Sequence, residues 1–293
     1  MNEIALVTGG SSGIGLAIAR EFVRRGHGVL VVAERGVDEA VRQLRKNTDV
    51  PVLGLQTDLA VPAGVEETAA RARRLGIRTF VLNAGVGVHG PFAHSPLRDE
   101  LRLVDLNVRS VVHLAHLVVP GLVAGGDGRL LVTSSIAAAM PAPLFGTYGA
   151  SKAFLRSFAW SLRHELAGTG VTVTTVLPAA TRTPFFRAAE MQRTHIGRAP
   201  KSRPAMVARR AVDALHDGRA EVAPGVQARA MVAIARVLPQ SVRTAFHGWF
   251  YAPGTPPPAA DASRTDTSVV RLGADDVSLD ARPRRRRRPP CEP

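Results

Sequence analysis

Short, continuous runs rich in valine, leucine and isoleucine recur along this chain and constrain its fold more than any other feature. They read Ile4–Thr8, Val29–Ala33, Val52–Gln56, Thr79–Asn83, Arg129–Thr133, Val171–Leu177 and Ala220–Val222. Several are unbroken apolar blocks rather than alternating ones, so both faces of such strands must be covered, as in a parallel sheet. Amphipathic stretches lie between them. Ile14–Arg25 aligns Ile14, Ala17, Ile18 and Phe22 on one stripe. Asp38–Arg45, Val65–Leu75 and Met206–Asp217 are further helical patterns, Leu101–Val123 covers a helix pair, and Tyr148–Leu166 gathers Phe154, Leu155, Phe158, Leu162 and Leu166. Strand–helix–strand alternation predicts an α/β fold, a doubly wound parallel sheet of about seven strands.

Composition divides the chain in two. Residues 1–252 carry the pattern above. Beyond Tyr251 there are no aromatics, and the 41 residues 253–293 contain eight prolines and the run Arg284–Arg288. That stretch is too poor in apolar surface to offset its ordering entropy and is expected to be a disordered tail. The net charge is +14, of which +2 falls in the tail and +12 in residues 1–252. A basic balance favours anionic partners: nucleic acid, an anionic lipid surface or an acidic protein. The single cysteine, Cys291, excludes an intramolecular disulfide and fits a reducing, cytoplasmic setting. The apolar start, Ile4–Val7, is too short for a secretory signal, and no run is expected to reach the roughly 18 apolar residues that span a bilayer.

The first strand ends in Thr8-Gly9-Gly10-Ser11-Ser12-Gly13-Ile14-Gly15, where a helix begins. Glycines allow the sharp turn and let an anion approach the backbone. Free amides at the helix start, with the helix dipole, then face a pyrophosphate. The spacing differs from the Gly-x-Gly-x-x-Gly dinucleotide fingerprint, and a plain structural turn is the competing reading. The second strand ends in Ala33-Glu34-Arg35. There an acid would hold the ribose of NAD, whereas an arginine would pair with the extra phosphate of NADP; the bidentate arginine contact is the stronger, which favours NADP with NAD not excluded.

Tyr148 and Lys152 stand four residues apart at a helix start and point the same way. An adjacent cation is expected to lower the phenol pKa, so that the tyrosine exchanges a proton with a carbonyl or alcohol oxygen. Alone the pair also reads as a surface contact. Ser135 lies 13 residues upstream, at the carboxyl end of a strand, where open α/β sheets bind ligands. The neighbouring Ser134 reads as a cap for the next turn.

Taken together, these residues resemble the short-chain dehydrogenase/reductase family. The matching elements are Thr8–Gly15, Asp58-Leu59, Asn83-Ala84-Gly85, Asn107, Ser135, Tyr148–Lys152 and Pro178–Thr183, in the family's order and spacing, over about residues 3–183. The resemblance implies a Rossmann-type, NAD(P)-dependent oxidoreductase of alcohols and ketones. It implies that Gly9, Ser11, Ser12, Gly13, Ile14 and Gly15 hold the pyrophosphate and that Glu34 and Arg35 read the ribose. Asp58 and Leu59 would border the adenine, and Asn83, Ala84 and Gly85 would line the cofactor cleft. Tyr148 would be the general acid/base, Lys152 the ribose ligand that lowers its pKa, and Ser135 the anchor of the substrate oxygen. Asn107 would hold a relay water, and Pro178, Thr181 and Thr183 would border the nicotinamide. A homodimer or homotetramer built on the helices flanking Asn107 and Lys152 is also implied. Three departures stand out. Ala179 follows Pro178 where the family has glycine, Ser12 replaces a basic residue of many NADP-preferring members, and Glu34 stands where those members often place arginine.

Residues 184–205 are expected to form the substrate loop. Val226–Tyr251 is basic and amphipathic, with Pro239 dividing two helices. It reads as a helical extension that packs on the sheet, covers a hydrophobic substrate pocket or touches a membrane surface peripherally. Alternatives to a free ketone or alcohol as substrate are a ketone on an acidic carrier protein, or a non-catalytic nicotinamide sensor. Nucleic-acid binding, confined to the arginine run, is not favoured.

Overall fold

The computed structural model describes residues 3–46 and 48–252. The expected tail, with Arg284–Arg288 and Cys291, lies outside the described residues. Seven strands form one wholly parallel sheet: β1 (Ile4–Thr8), β2 (Gly28–Ala33), β3 (Val52–Gln56), β4 (Thr79–Leu82), β5 (Gly128–Thr133), β6 (Val171–Val176) and β7 (Glu221–Val222), in the order β3-β2-β1-β4-β5-β6-β7. The order reverses between β1 and β4, so their carboxyl ends open a crevice at the centre of the sheet.

The continuous apolar runs are explained by two covered faces. Along β1, Val7 points to a layer formed by α1 (Gly13–Arg24), α2 (Val37–Arg45) and α9 (Pro204–His216), where Ile18, Phe22, Val41, Leu44 and Leu215 are buried. Leu6 points to the opposite layer, formed by α3 (Pro62–Arg74), α5 (Ser110–Ala124) and α6 (Gly146–Glu165), where Val65, Leu114, Val118 and Leu155 are buried. Neighbouring residues of a strand thus enter different cores, as the two-residue side-chain period demands.

The expected helix pair over Leu101–Val123 is instead one continuous helix. α4 (Leu97–Val104) runs through a π-helical turn at Asp105–Arg109 into α5. Extra residues in such a turn re-aim side chains, and here Asn107 is turned inward and fully buried. Leu97–Ala124 spans 28 residues and contains an 18-residue window of mean hydropathy 1.4, long and apolar enough by length and composition to cross a membrane. It is not an unbroken apolar run, since Arg98, Asp99, Glu100, Arg102, Asp105 and Arg109 interrupt it. In the fold, Leu103, Val111, Leu114, Val118 and Leu122 of this helix are core residues.

Two short helices, α7 (Phe185–Ala188) and α8 (His195–Arg198), lie within the expected substrate loop. Beyond β7 the chain forms α10 (Val226–Val237) and α11 (Gln240–Tyr251), and Pro239 is the N-cap of the second. Met231, Val232 and Ala235 of α10 pack on Ile136, Met140 and Leu177. The Arg243 guanidinium donates to the Ala139 and Ala235 carbonyls, and His247 Nδ1 lies 3.0 Å from the Pro141 carbonyl. The extension is therefore fastened across the segment that leads from β5 into α6.

Candidate active site

The crevice is held open by side-chain bonds between strand ends. Thr8 Oγ1 donates to the Val81 carbonyl at 3.2 Å and accepts from the Asn83 and Ala84 amides at 2.9 and 3.0 Å. Asn83 Nδ2 donates to the Thr8 carbonyl at 3.0 Å. β1 and β4 are thereby locked where their backbone ladder ends, which spaces the glycine turn from Asn83-Ala84-Gly85.

The turn itself is tight. Gly13 has φ +56°, a left-handed value that side chains resist. A Cβ at Gly15 would lie 2.2 Å from the Gly9 carbonyl oxygen and 2.6 Å from Asn83 Nδ2. Only glycine lets α1 start against the turn. Ser12, the N-cap, makes no side-chain capping bond, so the first amides of α1 keep their capacity for an anion beside them.

A cavity of about 340 Å³ opens over this end of the sheet. Gly9, Ser11, Ser12, Gly13, Ile14, Asn83, Ala84, Gly85, Ser135, Tyr148, Lys152, Pro178, Thr181 and Thr183 all line it. Gly15 and Asn107 stand behind the lining. Asn107 Nδ2 donates to the Val86 carbonyl, Asn107 Oδ1 accepts from the Val86 amide, and Nδ2 also reaches Ser151 Oγ at 3.1 Å. A Cβ added at Gly85 would lie 3.1 Å from Asn107 Oδ1 and 3.3 Å from Lys152 Nζ, so that glycine separates the two groups.

Lys152 and Tyr148 are both buried. Lys152 Nζ donates to the Thr133 carbonyl at 3.0 Å and lies 5.6 Å from the Tyr148 ring centre. Ser134 Oγ donates to the Lys152 carbonyl at 2.7 Å, while Ser135 Oγ caps the following 3₁₀ turn by accepting from the Ala137 amide. The cap is therefore Ser135, not Ser134 as the sequence pattern implied. The Tyr148 ring stacks on Phe145 with centroids 4.2 Å apart and meets Phe185 at 5.4 Å.

The electrostatics correct one expectation. Burial pushes the Tyr148 phenol up to about 12, against a smaller lowering by the Ser135 hydroxyl. Burial also pulls Lys152 down to about 8. The phenol is thus not acidified by its neighbour in this arrangement, because withdrawal from water outweighs the other influences on it. At neutral pH it carries its proton, the state needed to protonate a substrate oxygen.

This has a measurable consequence for stability. Folded Lys152 binds its proton less tightly than the ordinary lysine value of 10.5, so the burial penalty is complete below about pH 8 and is relieved as pH rises from there toward 10.5. Tyr148 acts in the opposite direction, and stability falls as pH rises from 10 toward 12. Urea midpoints are expected to rise between pH 7.5 and 9.5, and Lys152→Met is expected to flatten that limb. A slope unchanged by the substitution would assign the rise to other groups.

At the other end of the crevice, Glu34, Arg35, Asp58 and Leu59 lie outside the cavity lining. Glu34 pairs with Arg35 at 3.2 Å and with Arg102 at 2.9 Å. Arg102 also pairs with Asp58 at 3.0 Å. Burial raises the Asp58 carboxyl, but the Ala60 amide and the Arg102 guanidinium outweigh it and hold the group below the ordinary aspartate value. Sequence reasoning missed Arg102, which comes from α4 and joins this cluster only through the fold. It also missed Phe145 and Tyr251, two further cavity-lining rings. The scarcity of tyrosine, present only at 148 and 251, was the available signal for the latter.

A parallel sheet with a glycine turn at its central crevice and a Ser–Tyr–Lys set beside it defines a dinucleotide-dependent oxidoreductase. The family description "short chain dehydrogenase" matches residues 3–194, and the chain belongs to the short-chain dehydrogenase/reductase family. It is 35% identical over 193 residues to sulfoacetaldehyde reductase 2 of Chromohalobacter salexigens, covering 63% of this chain and 75% of that one. Among solved structures, it resembles a short-chain dehydrogenase from Sphingobium yanoikuyae in complex with NADPH, with TM-score 0.72 and 30% identity over 82% of this chain and 97% of that one. A second is the bulky-bulky ketone specific alcohol dehydrogenase from Comamonas testosteroni, with TM-score 0.68 and 28% identity over 82% and 96% of the two chains.

Proposed function

We propose that this oxidoreductase uses NADP(H) to interconvert an uncharged, hydrophobic ketone and its alcohol, with Tyr148 as general acid/base. The observation that carries the reading is the convergence of Ser135, Tyr148 and Lys152 with the glycine turn on one cavity. The residues fit a dinucleotide. The uncapped start of α1 offers amides to a pyrophosphate, and the glycines keep Cβ atoms out of its path. When bound, the cofactor supplies or accepts the hydride.

The chain's own residues do the rest. Ser135 holds the carbonyl oxygen, and Tyr148 gives it a proton in the reductive direction. Lys152, anchored by the Thr133 carbonyl, meets the nicotinamide-side ribose. Asn107, beside Gly85, holds the water through which the proton is replaced. Pro178, Thr181 and Thr183 steady the nicotinamide end. Among the described lining residues, Lys152 is the only one with an ionisable charge below pH 9, and the rest of the substrate side is Phe145, Phe185, Phe186, Met191, Ile196 and Tyr251. An anionic substrate would find no other cation there, whereas burial of an apolar one is favourable.

For the cofactor, Glu34 is engaged by two arginines, and Arg35 is largely exposed and able to swing toward a phosphate. The Sphingobium neighbour's NADPH supports the same choice. Fluorescence titration is expected to show NADPH binding at least about tenfold tighter than NADH, with Arg35→Ala reducing the gap to about threefold or less. Equal affinities in the parent would reassign the site to NAD. The exposed Leu97, Leu101 and Val104 of α4 and Phe154 and Trp160 of α6 support a homodimer or homotetramer built on these helices. A cytoplasmic location suits the reducing setting read from the lone cysteine.

A further inference from the structure

We infer that Tyr251 is a specificity-determining residue of the substrate site, placed to hydrogen-bond a second polar group on a bulky, uncharged ketone or alcohol. This rests on the function proposed above and narrows its substrate class. Tyr251 ends α11, well beyond the matched family region of residues 3–194. It is buried, yet it lines the same cavity as Tyr148.

Its position is fixed from four sides. The ring meets Phe145 at 5.3 Å and His247 at 5.5 Å. Its carbonyl lies 2.9 Å from His89 Nε2, and the next carbonyl, of Ala252, accepts from the His195 amide at 3.2 Å. Phe145 is also the ring on which Tyr148 stacks, so the two phenols share one aromatic neighbour. Ring positions that are locked in this way discriminate among substrates without reorganising.

The Tyr251 hydroxyl makes no hydrogen bond to the described residues. That oxygen is not sealed from the cavity that Tyr251 lines, so the phenol can donate to a polar group bound there. Burial, and then the facing Tyr148 phenol, push it well above the ordinary phenol range, so it remains a donor at working pH. The apolar body of a substrate would lie along Phe145, Phe185 and Met191, with its reacting carbonyl at Tyr148. A hydroxyl or second carbonyl on the far side would accept from Tyr251.

The test compares two ketones on one carbon frame, 2-decalone and its counterpart with a hydroxyl on the far ring, reduced with NADPH. The parent enzyme is expected to prefer the hydroxylated ketone by about tenfold in kcat/KM, the difference lying in KM, and Tyr251→Phe to abolish that preference. Val237→Ala, at an exposed position on α10, keeps it. Melting temperature is read in parallel with NADP⁺ present, where the hydroxylated ketone raises the parent's value more than 2-decalone does. Equal kcat/KM for the two ketones, or a preference that survives in Tyr251→Phe, overturns the assignment. Unequal thermal shifts without turnover support Tyr251 and remove the catalytic reading instead. Absence of both shift and turnover overturns the substrate class.

Discussion

Tyr148→Phe is expected to lower ketone reduction by about a thousandfold, in line with what a positioned general acid contributes. The substitution removes one oxygen and keeps the ring that stacks on Phe145 at 4.2 Å, so the cavity wall stands. NADPH affinity, read by fluorescence titration, is expected to stay within about threefold of the parent, because the pyrophosphate contacts lie on the glycine turn. The loss should appear in kcat, since in the proposed mechanism Ser135 would still orient the carbonyl oxygen. Steady-state kinetics on any turned-over ketone checks this, and a variant with parental kcat would show that the proton comes from elsewhere. The direction of the reaction matters too. With the phenol pushed up to about 12, it holds its proton at neutral pH, the state that the proposed carbonyl reduction needs. Alcohol oxidation, which needs the deprotonated phenol, is expected to gain as pH rises.

Gly15→Ala should have the largest structural effect. The new Cβ would meet the Gly9 carbonyl oxygen at 2.2 Å, and the atoms it strikes are backbone, which cannot rotate away. α1 would have to move off the turn, at a cost of about 3 kcal/mol by comparison with overpacked cores. Urea denaturation should show this as a lower midpoint with an unchanged slope. Dinucleotide binding should fall as well, since the amides at the start of α1 would shift with the helix. A variant of parental stability that binds NADPH normally would mean that the turn is looser than its geometry implies. Gly121 is a useful contrast within the same chain, because a Cβ there meets nothing within 4 Å and its φ is not left-handed.

Much of this molecule is visible before folding is considered. The seven strand positions follow from unbroken apolar runs, since few arrangements cover both faces of a strand. The glycine turn follows from the residues between β1 and α1. Tyr148, Lys152 and Ser135 follow from local spacing, because one helix face and one strand end set their relative directions. Other features could not be read this way. The proline at 239 marked the break between α10 and α11, but nothing local said that Tyr251 would enter the cavity. Arg102 lies 44 residues from Asp58 and 68 from Glu34, and only the crossing of α4 over the strand ends brings the three together. The apolar stretch Leu97–Ala124 shows the same limit. Its pattern marked a helical stretch, and only the fold shows that it is one continuous helix and which of its residues are buried.

The chain's own order of residues therefore marked the elements and the proposed proton-transferring set, because each shows in local pattern and spacing. Tertiary structure decided the charge states at the site, the ion-pair cluster around Glu34 and the presence of a second phenol beside the first. These depend on burial and on approach between distant segments. Desolvation of Tyr148 is the plainest case: the adjacent lysine is written in the sequence, but the exclusion of water that raises the phenol arises only when rings such as Phe145 and Phe185 pack against it.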